Sequence, residues 1–600
     1  MRFSSRALGT LAGLFVSTFL IAPSVPALAQ AKASASSHAS HAAHATRPWW
    51  DNAVIYEIYP RSFQDSNGDG VGDLNGITSR LDYLKTLGVD AVWLTPIYPS
   101  PQVDFGYDIS DYRAVDPQYG TLKDFDRLES QAKARDIGVI MDLVPNHTSD
   151  QHRWFLESAS SRTNSKANWY VWNDGKRING KREPPNNWIS LFGGSAWQWD
   201  AKRNQYYYHE FYVQQPDLNW RNPQVRKAMY DVERYWIHQG VAGFRLDAIT
   251  SLFEDPKLAN EPYMRDKNGN IKINAYGDKE VDRSKTDNLP DVNGVLKQLR
   301  EVADSTRDPR WGKKVVLIGE TYVGSIADLR KLYGAHNDEL NLPMDTQVGF
   351  INKLDAAEFR KKINDAETEL NGNEPLFVFD NHDNPRWDRY GDGVHNKEIG
   401  RMLAAILFAS RDTALMYYGD EIGMKTTPPT RKSEVRDPIG IRGWPKEKGR
   451  DGERTPMQWS ATANAGFSKP GVKTWLPIPN DFITVNVADE VRDPNSMLNW
   501  YKQMIALRKG NAALVKGREV MVNTENPNVL SWLRVAKGVP AVVVACNFTA
   551  NSQTIGFDLA AEGIHGTRVK TLMKSPGTAD PASLGTVKLP AFGVYIGQVE

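Results

Sequence analysis

The run GFRLDAI (243–249) places Arg245 and Asp247 two residues apart in an apolar stretch. Alternation along a strand sends both side chains to one face. A cation and an anion are therefore aimed in the same direction, and taken alone they read as a buried ion pair. Other short apolar runs end in similar groups. Glu320 closes VVLIGE (315–320), His147 closes VIMDLVPNH (139–147), His382 and Asp383 close LFVFDNHD (376–383), and Asp108 follows AVWLTP (91–96). Any one of these could be a cap or a satisfied core group. Several carboxylates and two histidines at equivalent strand ends are harder to explain structurally, because their repulsion costs stability and a site is the usual reason to keep it. No Ser-His-Asp order or Gly-rich phosphate loop competes, and too few His and Cys cluster for a zinc site. Two opposed carboxyls are what glycoside cleavage needs: an ionised nucleophile and a protonated acid. On that chemistry Arg245 keeps Asp247 ionised. Desolvation at the end of an apolar strand suits Glu320 to the acid role.

The elements that must position these residues alternate. Strand candidates at 53–60, 91–96, 139–147, 243–249, 315–320, 340–345, 376–383 and 414–421 are separated by helical patterns such as 77–88, 122–138 and 222–240. Several of the strands are apolar throughout, as parallel strands covered by helices should be. The pattern predicts an α/β fold, a parallel (β/α)8 barrel, whose chemistry lies at the C-terminal ends of its strands. Between His147 and Gln215 runs a stretch rich in Trp, Asn, Gly and Tyr, too long for a structureless loop. It predicts an inserted domain over 148–215 that interrupts a barrel spanning 48–147 and 216–521. From 522 to 600, short alternating runs such as VLSWLRV and VPAVVVACNF predict a C-terminal antiparallel β-sandwich.

A formal net charge of +1 gives no bulk field to attract nucleic acid or an anionic membrane, while 18 Trp and 23 Tyr suit a neutral ligand such as a sugar. Residues 1–29 read as a secretory signal: Arg2 and Arg6, then an apolar run, then Ala27-Leu28-Ala29 before Gln30. Residues 30–47 read as a low-complexity linker. The protein is expected to be exported, periplasmic or secreted, with no membrane attachment after cleavage. Cys546 is the only cysteine, so no internal disulfide can form.

The motifs YEIYPRSF, GYDISDY, DLVPNHTSD, QPDLNW, GFRLDAI, IGET, FDNHDNPR and GRDGERTPMQW stand in this order. Together they resemble the α-amylase superfamily, in its oligo-1,6-glucosidase and α-glucosidase branch, from Trp49 to the chain end. The resemblance implies a retaining α-glucosidase acting on small α-glucoside oligosaccharides. It implies Asp247 as nucleophile, Glu320 as acid/base and Asp383 as the third catalytic carboxylate. His147 and His382 would bind the sugar in the −1 subsite, Tyr107 would stack under it, and Arg245 would support Asp247. Asp104 and Arg450 match the pair that closes the pocket in this branch, which means exo action on short chains. Phe105 departs from the pattern, since relatives often have Asn there, and would add an apolar wall.

DSNGDGVGDL (65–74) carries oxygen ligands at alternate positions: Asp65, Asn67, Asp69, the Val71 carbonyl and Asp73, with Gly70 for the turn. This resembles the first part of an EF-hand loop, although Gly76 stands where the bidentate Glu would be. The donors suit Ca²⁺, and the family resemblance implies one structural Ca²⁺ here, Mg²⁺ in some members. Three rival functions are weighed. A sucrose isomerase or trehalose synthase would use the same carboxylates, but the Arg-rich stretch of sucrose isomerases is missing from TQVGFINKLDAAEF. An α-1,6-specific enzyme of this branch typically has Val after the nucleophile, and Ala248 favours α-1,4 linkage. A catalytically dead scaffold would lack the carboxylates.

Overall fold

The computed structural model describes residues 47–306 and 311–600. The signal and linker expected before residue 47 lie outside the described residues, apart from Arg47. Eight parallel strands close into a barrel: β1 (Val54–Ile58), β2 (Ala91–Leu94), β3 (Gly138–Leu143), β4 (Gly243–Leu246), β5 (Val316–Gly319), β6 (Leu342–Asp345), β7 (Leu376–Phe377) and β8 (Thr413–Tyr417). Neighbours follow chain order. Closure comes from β1 pairing with both β2 (Ile55 beside Ala91) and β8 (Val54 beside Ala414).

Period-two alternation divides each strand between two cores. Ile55, Ala91, Trp93, Ile140, Val316, Ile318, Leu342, Met344 and Leu415 fill the barrel interior. Val54, Tyr56, Val92, Leu94, Phe244 and Leu317 face the surrounding helices. Both faces are apolar, as expected of strands covered on both sides. The helices begin where local chemistry says they should. Thr121 and Asp124 form a reciprocal capping box ahead of Leu122–Lys133, and Asn222 caps Pro223–His238 with Pro at its first position.

Three excursions leave the C-terminal mouth. The first is the inserted domain after β3, with a small antiparallel sheet (Trp172–Asn173, Gln205–Tyr208, Trp197–Asp200) and a hairpin (Lys176–Ile178, Lys181–Glu183). The second, after β4, had no expectation attached to it. It folds residues 255–290 through isolated bridges such as Tyr263 with Val281, and Trp188 of the inserted domain donates to the Ala259 carbonyl at 2.8 Å. The third follows β8 and carries Asp437, Arg450 and Arg454 back over the mouth.

The barrel strands are shorter than expected, β7 most of all, and one domain boundary also differs. β7 is confined to Leu376–Phe377; beyond it Val378 still donates to the Asp345 carbonyl of β6 at 3.1 Å, and the chain then turns, with Asn381 bridged to Asn384, to bring His382 and Asp383 to the mouth. The C-terminal domain begins ahead of residue 522, since its first strand is Arg518–Val522. Five antiparallel strands form its main sheet and two more, Gln553–Ile555 and Val587–Leu589, form a second.

Candidate active site

Arg245 is the hub of the mouth. Its side chain is fully buried and sits 5.0 Å over the Trp93 ring of the inner layer. Nη1 donates to Asp247 Oδ1 at 2.5 Å and to Asp142 Oδ1 at 3.1 Å, and Nη2 lies 2.8 Å from Glu320 Oε1. Arg245 and Asp247 thus share a face, as the alternation predicts. Asp142, on β3, is a partner that sequence reasoning missed. The signal was present: a lone acid in an apolar strand, the same cue that singled out Arg245.

This geometry corrects the simple view that Arg245 keeps Asp247 charged. One guanidinium serves three buried carboxyls. Burial, and then the Glu320 carboxylate, push Asp247 well above the usual carboxylate range, with Arg245 opposing. Asp142 is likewise pushed up by burial, to about 6. Asp142 and Asp247, both raised and both bound to Arg245, titrate as a pair rather than singly. A nucleophile and an acid need two carboxyls held together, and Arg245 brings Asp247 and Glu320 onto one cation. The Ala248 N–H donates to Glu320 Oε2 at 2.7 Å and fixes that carboxyl's orientation.

Asp383 is the opposite case. Its Oδ1 accepts from Arg450 Nη1 and Arg454 Nη2, both at 2.8 Å, and its Oδ2 lies 3.2 Å from His382 Nε2. Burial would raise it, but His382 and Arg450 outweigh that and hold it well below the usual range. It stays an anion at the mouth of the barrel. His382 is oriented from behind by Glu57 on β1, through Nδ1 to Oε1 at 2.6 Å, and from the side by the Tyr107 hydroxyl, 2.7 Å from Nε2. The Tyr107 ring stacks on His382 and its hydroxyl donates to Asp142 at 3.0 Å. Glu57, like Asp142, went unnoticed within an apolar strand.

His147 Nε2 lies 3.2 Å from Gln215 Nε2, and the same Gln215 nitrogen donates to Asp104 Oδ2. Burial pushes His147 down to about 3, so it is neutral. Asp104 accepts from Arg450 Nη2 at 2.8 Å. Asp108 does not join this group. Its fully buried carboxyl accepts from Ser100 Oγ and from the Val103 and Asp104 amides, so it ties the loop that carries Asp104. Phe105 sits at φ +47, a left-handed backbone that Asn tolerates and Phe does not favour. Its ring packs on Trp475 (5.4 Å) and under Arg61 (4.8 Å), contacts that offset the strain.

In the 65–74 loop the acids fold onto their own amides. Asp65 accepts from Gly68 and Gly70, Asn67 from Asp69, Asp69 from Val71, and Asp73 from Ser66 and Gly76. Lys469 Nζ donates to the Asn67 carbonyl at 2.9 Å. Among the described residues no group of three or more His, Cys, Asp or Glu is arranged to hold a metal ion. The all-oxygen donor set still has the chemistry of a hard-cation site once the Asn67 side chain and the Val71 carbonyl are counted.

A barrel whose mouth gathers Asp247 and Glu320 on one buried guanidinium, and holds Asp383 as an anion between Arg450, Arg454 and His382, is equipped as a glycoside hydrolase. That is the class the fold and site define. The chain belongs to the α-amylase family, whose catalytic domain matches residues 57–517. It is 39% identical over 564 residues to a probable α-glucosidase of Rhizobium meliloti (strain 1021), covering 92% of this chain and 97% of that one. It is 36% identical over 551 residues to an oligo-1,6-glucosidase of Heyndrickxia coagulans, covering 85% and 93%. Among solved structures, the α-glucosyl transfer enzyme XgtA superposes with a TM-score of 0.82 at 37% identity, covering 92% of this chain and all of that one.

Proposed function

We propose that this protein is an exo-acting, retaining α-glucosidase that hydrolyses terminal α-1,4-linked glucose from maltose and short malto-oligosaccharides. The observation that carries this reading is Arg450, which joins Asp104 to Asp383 through its two terminal nitrogens, a bridge that would wall off one end of the sugar pocket. A walled pocket accepts a chain end and excludes internal linkages. The reaction runs in two displacements. Asp247 attacks the anomeric carbon as Glu320 gives its proton to the departing glycosidic oxygen, leaving a glucosyl ester on Asp247. Glu320 then removes a proton from water, which attacks the same carbon and restores both carboxyls. Asp383, held as an anion by Arg450 and Arg454, binds sugar hydroxyls and stabilises the positive charge that develops on the ring. Glucosyl transfer to a sugar is the second reading, favoured by the likeness to the α-glucosyl transfer enzyme. It needs only an acceptor that outcompetes water.

Two inversions give net retention, so α-glucose is the expected first product. A β-anomer, seen by NMR in the opening minutes, would refute the mechanism. Maltose is expected to exceed isomaltose in kcat/KM, and the reverse order would overturn the linkage assignment alone. Ala248 packs with Phe192, Phe211 and Ile439 beside the nucleophile. Ala248→Val is expected to shift the ratio toward isomaltose by about 1–3 kcal/mol. The backbone there is left-handed, at φ +46, so a β-branched residue also brings strain of about 1–2 kcal/mol. The ratio of the two substrates, not the absolute rate, is therefore the proper readout.

A structural Ca²⁺, or Mg²⁺, is part of this proposal. Asp65, Asn67, Asp69, the Val71 carbonyl and Asp73 would hold it, and it would brace the loop after β1 without entering the chemistry. Chelation is expected to lower the melting temperature and added Ca²⁺ to restore it, because a ligand that binds only the native state stabilises it. No shift, with no metal found by elemental analysis, would leave Lys469 as the loop's own cation. Export to the periplasm or medium is proposed from the signal-like residues 1–29. Among the described residues no helix is long and apolar enough to cross a membrane.

A further inference from the structure

Arg450 faces two ways at once, and that is an unusual demand on a guanidinium. Its planar fork matches a single carboxylate bidentately, and this is its ordinary preference. Here one terminal nitrogen goes to Asp104 and the other to Asp383. A free Arg450 could instead close on Asp383 alone, consuming the carboxylate meant for the sugar and opening the pocket end. Something must hold the side chain in the split arrangement.

The geometry points to Asp437 as the residue that does so: we propose that it is a positioning residue for catalysis, acting through Arg450. Asp437 Oδ2 accepts from Arg450 Nε at 2.8 Å and from the Arg450 backbone N–H at 2.6 Å, and Oδ1 accepts from Nη2 at 3.1 Å. It therefore grips the rear edge of the guanidinium and leaves the front for Asp104 and Asp383. Its side chain is fully buried. Its own place is set twice. Its backbone N–H donates to both Asp451 oxygens at 3.1 Å, and its Oδ1 caps the helix Pro438–Gly443 by accepting from the Ile439 N–H at 3.2 Å. Gly449 leaves the room: a Cβ there would lie 2.9 Å from the Asp437 side chain. Burial would raise the Asp437 carboxyl, yet the Arg450 charge and hydrogen bonds hold it down at about 2, so it remains a charged anchor throughout the working range.

The inference rests on the glucosidase reading. Its test uses p-nitrophenyl α-glucoside, so that a wrong choice of linkage would not disturb it, while turnover of maltose by the wild type tests the reading separately. Asp437→Asn, Arg450→Met and the double variant are compared. Asp437→Asn places an amide N–H₂ against a donor. It is expected to lower kcat/KM about 10–100-fold, the scale of losing a charge-assisted hydrogen bond, with KM rising because the pocket end loosens. In the Arg450→Met background the same change is expected to cost less than threefold, since there is no guanidinium left to position. Losses that multiply would overturn the proposal, as would an Asp437→Asn enzyme with unchanged kcat and KM. Asp437→Ser keeps an oxygen for the helix cap and removes the charge, and serves if the Asn variant does not fold. Failure of both to fold, with Arg450→Met folded, would also overturn it, because Asp437 would then be a scaffold group independent of Arg450.

Discussion

Asp247→Ala and Glu320→Gln are each expected to reduce kcat by about 10²–10⁴-fold or more while the protein stays folded. The two losses should differ in kind. Without Asp247 no glucosyl ester can form, so a mechanism-based fluoroglucoside that labels the wild type at Asp247 should leave the variant unlabelled. Without the Glu320 proton, the loss should be greatest for substrates with a poor leaving group. It should be far smaller for an aryl glucoside whose leaving group needs no proton. Folding is expected to survive both changes. Truncating Asp247 relieves one of three carboxyls competing for Arg245, and Gln at 320 can still accept from the Ala248 N–H. Labelling at any carboxylate other than Asp247 would sink the assignment of roles.

The second large effect is on stability. Arg245→Met is expected to destabilise the fold by about 3–5 kcal/mol at pH 8, the usual cost of stripping the partner from buried charges. Here it strands Asp142, Asp247 and Glu320 together. The sign of the pH dependence follows from the directions already given. Asp142 and Asp247 are raised in the folded protein relative to the unfolded chain. Between the two values the folded state binds more protons, so each contributes stability that is present at low pH and is lost as pH rises through the folded value. Removing Arg245 raises both further. The defect of the variant should therefore be small near pH 5, where protonated carboxyls need no partner, and should grow toward pH 8. Urea melts of wild type and variant at both pH values give the comparison. A defect that is flat with pH, or larger in acid, would show that the three carboxyls do not share the Arg245 charge.

Local pattern determined much of this protein. Period-two alternation told correctly that Arg245 and Asp247 share a face, because side-chain direction in a strand depends only on neighbouring residues. Alternating strand and helix signals told the barrel, and barrel geometry told which strand ends carry chemistry. Asp247, Glu320, Asp383, His147 and His382 could be singled out on that basis, whereas Asp104 and Arg450 came only from the family resemblance. The sequence could not say which partner each group finds. Asp142 meets Arg245 across 103 residues and Arg450 meets Asp104 across 346. Such pairings are settled when the barrel closes and the excursion after β8 folds back over its mouth. Glu57 and Asp142 lay unremarked inside apolar strands, since hydrophobic pattern reports burial and not what a buried acid touches. Asp108 stood in a promising position, yet loop geometry turned it onto its own amides. Asp437 sits in an irregular segment with no periodicity to flag it. The division of one guanidinium among three carboxyls was invisible for the same reason. Charge sharing depends on distances of a few ångströms between distant chain segments, and only the packed tertiary structure sets those.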